Sequence, residues 1–310
     1  MTLEVRSITK SFGPKEVLRE VSFTARSGAA LGLLGRNGAG KTTAIRIIMD
    51  VFPADTGDVL FDGKHIRQAD VRIGYLPEDR GLYPKVPIGR QLSYLARLRG
   101  LTRTEATASV HHWLDRLGMQ DVHDKKLETL SKGNQQKIQL ALALIADPQI
   151  IILDEPFSGL DPVNAQLLKD IVNEQGEKEK IVLFSSHQMG YVETFCDEVA
   201  ILNGGSIILS GAIRTIRRTY PRTRLSVRIA GDHPGTAELL GTLAEQSDLR
   251  GRILRVESDG ADGCVVHLDA PESKDPLLMG LLASGASVET FLVIEPTLEE
   301  IFVEKVGDAV

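Results

Sequence analysis

Two rhythms of apolar residues alternate along the 310-residue chain. Short unbroken runs such as Ala29–Leu34, Ile150–Leu153 and Ile181–Ser185 have the length and branching of strands buried on both faces. Elsewhere apolar residues return at three- and four-residue steps, the spacing of one helical face. Between Ile88 and Gly118 these are Leu92, Leu95, Leu98, Val110, Trp113, Leu114 and Leu117, a helical core stripe. Thr42–Asp50 reads as an apolar helix stopped by Pro53 and Gly57, and Gln135–Ala146 as another that ends before Pro148. Val21–Ala25, Val59–Phe61 and Arg72–Leu76 read as short strands. Val199–Leu202 and Ser206–Leu209 flank Asn203-Gly204-Gly205, a hairpin signal. The alternation predicts an α/β domain with a mostly parallel sheet and a helical subdomain at about residues 83–145.

Around Arg214–Arg224 the pattern lapses into Arg, Thr and Pro, and a domain boundary is expected there, dividing the chain into 1–218 and 219–310. The second part repeats the two rhythms in a different order. Strands are expected at Leu225–Ile229, Ile253–Val256, Cys264–Leu268 and Val288–Val293. Helices are expected near Thr236–Gln246 and Pro276–Ala283, with a last one over Thr297–Lys305. This β-α-β-β-α-β order predicts a small α+β domain compatible with a ferredoxin-like sandwich.

Composition narrows the classes. A hydrophobic content of 42% supplies ample core, and a net charge of −6 gives no global signal for nucleic acid. Residues 85–137 hold ten Lys/Arg against five Asp/Glu, a local +5 that suits either a solvated helical face or an anionic surface. The two cysteines, Cys196 and Cys264, form neither a metal spacing nor a disulfide framework, which fits a reducing compartment. The longest apolar runs are too short to span a bilayer and the first residues lack a signal-peptide core, so any membrane part would come from other chains.

Candidate chemistry sits in short segments. Gly35-Arg36-Asn37-Gly38-Ala39-Gly40-Lys41-Thr42-Thr43 fits the phosphate-loop pattern G-x-x-x-x-G-K-[ST] between an expected strand and helix. Its N–H groups and the helix N-terminus suit phosphate, Lys41 suits the β- and γ-phosphates, and Thr42 suits Mg²⁺. Asp154-Glu155 ends the apolar run Ile150–Leu153. A carboxylate there suits Mg²⁺, and its neighbour suits the general base of an in-line attack by water on a phosphoryl group.

Leu130-Ser131-Lys132-Gly133-Asn134 lies between these two, with Ser131 23 residues before Asp154, and Ser185-Ser186-His187 follows them. In this order and spacing the chain resembles the ATPase subunit of ATP-binding cassette (ABC) transporters over about residues 1–215. The resemblance implies that Phe12 stacks on adenine, that Ser131, Gly133 and Asn134 are a signature segment, and that Asp161 in Ser158-Gly159-Leu160-Asp161 belongs to the D-loop. It makes His187 the switch histidine and Glu155 the catalytic base, with Mg²⁺ held by Thr42, Asp154 and the residue at the Q-loop position, Glu78. It also implies ATP sites shared with a second ABC ATPase subunit, in which each signature faces the ATP of the other chain. Integral-membrane permease subunits and a place on the cytoplasmic face of the cell membrane follow from the same resemblance, with no nucleic-acid partner. The chain departs from the family's usual pattern at Glu78, where Gln is usual, at Lys132, where Gly is usual, and at Asn134, where Gln is usual. These variants and Pro296–Phe302 resemble a bacterial branch of exporters associated with sodium and drug efflux. Alternative readings are a soluble ABC ATPase acting on a non-membrane partner and a weakly hydrolysing regulatory subunit.

Overall fold

A computed structural model describes residues 1–79, 81–157, 160–230, 235–260 and 263–307. Its first strands arise from apolar residues that alternate at period two except where the register shifts between Val5 and Lys10. β1 (Thr2–Phe12) and β2 (Lys15–Arg26) pair antiparallel, with Thr2 opposite Arg26 and Phe12 opposite Lys15. Leu3, Val5 and Ile8 of one and Leu18, Val21, Phe23 and Ala25 of the other are buried together. β3 (Ala30–Leu34), buried at every position, runs into the glycine loop and then α1 (Lys41–Ile48). β4 (Thr56–Phe61) pairs with β1 and β5 (Lys64–His65) with β4, completing a sheet in the order β2-β1-β4-β5. This antiparallel sheet exceeds the short strands expected from the sequence. Exposed Lys15, Glu16 and Arg19 dilute the apolar pattern of β2.

The second sheet begins with β6 (Ile73–Leu76). The chain then leaves it for three helices, α2 (Ile88–Leu98), α3 (Arg103–Arg116) and α4 (Lys132–Leu144). Thr102 starts α3 with a capping box: its side chain accepts from the Glu105 N–H, and Glu105 accepts from the Thr102 N–H at 2.8 Å. β7 (Ile150–Asp154), α5 (Pro162–Glu177), β8 (Ile181–Ser186), α6 (Met189–Phe195), β9 (Glu198–Asn203) and β10 (Ser206–Ala212) return to the sheet. Its order is β10-β9-β3-β8-β7-β6, parallel from β9 to β6, with β10 antiparallel in the expected hairpin.

Backbone contacts divide the chain into Met1–Ile213, with the helical residues from Phe302, and Arg214–Ile301. After α7 (Ile213–Arg218), the second unit contains β11 (Arg224–Ala230), α8 (Thr236–Ala244), β12 (Ile253–Asp259), β13 (Gly263–Leu268), α9 (Lys274–Ala283) and β14 (Ser287–Ile294). α10 (Leu298–Gly307) ends the described chain. The sheet order β12-β13-β11-β14 is antiparallel throughout. That order and the β-α-β-β-α-β sequence are those of a ferredoxin-like sandwich. Leu225, Val227, Val266, Leu240, Leu277 and Leu281 form its core.

Candidate functional site

Parallel strands bring their C-terminal ends to one edge of the sheet, where open α/β sheets bind ligands. β3 ends at Leu34, one residue before the glycine loop. β8 lies beside it with Ser186 opposite Leu34, and β7 beside β8 with Ser185 opposite Asp154. A cleft of about 440 Å³ opens at this edge. It joins Arg36, Asn37, Gly38, Gly40, Lys41, Thr42 and Thr43 to Glu78, Asp154 and Glu155, with Phe12 and Lys15 at one side. Gly35 and Ala39 shape the loop from beneath: the Gly35 carbonyl accepts a bond from Lys41, and the Ala39 N–H donates to the Arg36 carbonyl at 3.1 Å. Gly40 takes a φ of 112° to turn the chain into α1, a conformation that suits glycine alone.

Lys41 is only 7% exposed. Its ammonium donates to the Gly35 carbonyl at 2.7 Å and stands 3.8 Å from Glu155 Oε1. Loop carbonyls and a carboxylate thus surround the ammonium charge. Phe12 is half exposed, with the edge of Phe52 5.7 Å away between ring centres and Lys10 Nζ 5.7 Å from its centroid.

Asp154 and Glu155 are both buried, and each is held by hydroxyl groups. Ser185 Oγ donates to Asp154 Oδ1 at 2.6 Å, and Tyr75 OH donates to Oδ2 at 3.2 Å. Burial pushes the Asp154 carboxyl above the ordinary range, against the hydrogen bonds of Ser185 and Tyr75. Glu155 has a φ of 48° and its N–H bonds the Ser185 carbonyl at 2.9 Å. A non-glycine residue in this region stores strain of about 1–3 kcal/mol. Its carboxylate receives Ser186 Oγ at 3.0 Å on one oxygen and meets His187 Nδ1 at 2.7 Å on the other. Thr42, Asp154 and Glu78 offer oxygen atoms around one cleft, a donor set that fits Mg²⁺ completed by substrate phosphates.

The signature residues stand elsewhere. Ser131 is exposed and caps α4, its side chain accepting from the Asn134 N–H at 3.4 Å. Asp161 caps α5 in the same way, accepting from the Asn164 N–H at 2.9 Å, and this bond holds its carboxyl below the ordinary range. The two helix starts are neighbours: a methyl group on Gly133 would lie 3.3 Å from Asn164 Nδ2. Ser131, Gly133 and Asn134 do not line the cleft of their own chain. Ser158 and Gly159 of the expected D-loop lie outside the described residues. Sequence reasoning missed the roles of Tyr75, Ser185 and Ser186. Ser185 and Ser186 adjoin His187 in an already suspect segment, whereas nothing in the sequence marks Tyr75.

Residues 18–158 match the family model described as ABC transporter, and residues 211–306 match the model of the ATP-binding protein DrrA1-3-like, C-terminal domain. The ABC transporter ATP-binding protein YhaQ of Bacillus subtilis is 36% identical, with 98% of each chain covered. The linearmycin resistance ATP-binding protein LnrL of the same organism is 29% identical, again with 98% of each covered. A solved structure of the ATP-binding subunit of an ABC transporter matches with a TM-score of 0.65 at 29% identity, covering 71% of this chain and 93% of the other.

Proposed function

The chain belongs to the ABC transporter family as an ATP-binding, ATP-hydrolysing subunit, and on that premise we propose how its residues divide the work. Phe12 stacks on the adenine. The N–H groups of the Gly35–Gly40 loop and the start of α1 bind the phosphates. Lys41 exchanges the Gly35 carbonyl for β- and γ-phosphate oxygens. Thr42, Asp154 and Glu78 hold Mg²⁺, which supplies charge neutralisation at the phosphates when bound. Glu155 takes the proton of the attacking water, and His187 fixes the Glu155 carboxylate and faces the γ-phosphate.

The observation that carries this reading is the setting of Glu155. A buried carboxylate, fixed by Ser186 and His187 and 3.8 Å from Lys41, faces the cleft at a strand end. Glu155→Gln keeps the shape and removes the base. It is expected to bind ATP as before and to lose turnover by about 10²–10⁴-fold. ATP hydrolysis assayed beside nucleotide binding checks this, and a wild-type rate would remove Glu155 from the role of base.

Ser131, Gly133 and Asn134 complete the ATP site of a second subunit, with Asp161 beside them. The exposure of Ser131, and the absence of all three from the lining of their own cleft, support a shared site. Permease subunits in the membrane receive the work, and the chain sits on the cytoplasmic face beneath them. Among the described residues no helix is long and apolar enough to cross a membrane. Export is the direction we favour, because the linearmycin resistance protein resembles this chain from end to end.

A further inference from the structure

We propose that Tyr75 is a positioning residue that presets the Asp154 carboxylate for the divalent cation. The inference rests on the reading of Asp154 as a metal carboxylate. β6 and β7 are parallel, with Tyr75 opposite Ile152. Residues two apart on a strand share a face, so Tyr75 stands on the face of Asp154 but two residues short of it. Two residues of strand span about 6.6 Å. A tyrosine side chain covers that gap, and its hydroxyl reaches Asp154 Oδ2 at 3.2 Å. The apolar part of the ring packs against the core.

The chemistry of the bond favours a fixed donor. Ser185 Oγ already donates to Oδ1 at 2.6 Å from the other neighbouring strand. Each Asp154 oxygen therefore carries one O–H donor, one from β6 and one from β8, and the carboxylate plane is set between them. Each oxygen keeps lone-pair capacity for a cation. Hydrogen bonds behind a ligating carboxylate typically contribute 10- to 100-fold in metal affinity.

The test uses the full chain and a ribose-labelled, non-hydrolysable ATP analogue, titrated by fluorescence with Mg²⁺ and with excess EDTA. Tyr75→Phe keeps the ring and removes only the donor. Its affinity in EDTA is expected to match wild type, while the strengthening by Mg²⁺ falls about tenfold or more. Asp154→Asn is measured beside it and is expected to lose that strengthening. An undiminished Mg²⁺ effect in Tyr75→Phe, with the loss confirmed in Asp154→Asn, would overturn the role of Tyr75 alone. An undiminished effect in Asp154→Asn would overturn both readings. An equal loss of affinity with and without Mg²⁺ in Tyr75→Phe would make the phenol a packing group, and the inference would fail.

Discussion

A methyl group added at Gly40 would lie 2.6 Å from Leu18 Cδ2 and 3.0 Å from the Val17 carbonyl. One added at Gly38 would meet nothing within 4 Å. Both glycines have positive φ, 112° and 82°, so alanine strains the backbone at either. Only Gly40→Ala also overpacks the core under the loop, at a cost of about 1–3 kcal/mol. Nucleotide-free Gly40→Ala is therefore expected to be less stable than Gly38→Ala by roughly that amount. Denaturant unfolding of the two variants checks the order, and equal stabilities would mean the loop relaxes away from Leu18. At this scale the sequence was legible wherever chemistry was written as an ordered pattern. The glycine loop, Asp154 and Glu155 meet in one cleft as their types and spacing suggested. Tyr75 was not legible, because its partner is set by the register of β6 against β7, and no local pattern encodes a register.

Elements were legible in proportion to their contrast with solvent-facing positions. The unbroken runs of β3, β7 and β8 stood out because both faces are covered. α5 was missed although Ala165, Leu168, Ile171 and Val172 follow helical spacing. Its remaining positions are largely polar, which dilutes the apolar stripe. α10 shows how an element can be pinned by a few polar groups. Thr297 and Glu300 cap its start reciprocally: Thr297 Oγ1 accepts from the Glu300 N–H at 3.2 Å, and Glu300 Oε2 accepts from the Thr297 N–H at 2.8 Å. Arg224 of β11 donates to both Glu300 oxygens at 2.6 and 2.7 Å. These bonds, Arg224 first, lower the Glu300 carboxyl to about 2 from an ordinary 4.5. The folded value lies below the unfolded one, so the stabilisation is complete above about pH 4.5 and disappears as the pH falls towards 2. The pair is partly exposed, so solvent screening keeps its net value to about 1 kcal/mol or less. Arg224→Gln is expected to raise the Glu300 midpoint yet leave it below the ordinary value, because the cap remains. A carboxyl-carbon NMR titration reads this directly, and an unmoved midpoint would show that the cap alone sets it.

At the scale of the whole molecule, the proposed shared site puts each half of an ATP site on a different surface of the chain. The phosphate loop, Asp154 and Glu155 form one half in the cleft, and the starts of α4 and α5 form the other. The Ser131 hydroxyl has two separable tasks in this arrangement. Its oxygen accepts the Asn134 N–H as a helix cap, and its proton is left to donate to a phosphate of the second subunit. Ser131→Asp keeps a good cap but places a negative charge against that phosphate. It should therefore fold with wild-type stability and fail to hydrolyse ATP. Lys41→Ala should fail for the opposite reason, losing its own phosphate contacts while keeping an intact signature. Mixed in equal amounts, the two inactive variants form some dimers in which the phosphate loop of the Ser131→Asp chain meets the signature of the Lys41→Ala chain. One undamaged site per mixed dimer is expected to restore a measurable part of wild-type turnover, and the restored rate should rise more than linearly with protein concentration. A mixture as inactive as its components, with mixed dimers demonstrated by cross-linking, would mean that each chain completes its own site. The signature, with Ser131 exposed, would then need another role, because a helix start that bonds only its own cap does not require the Ser-x-Gly spacing found here.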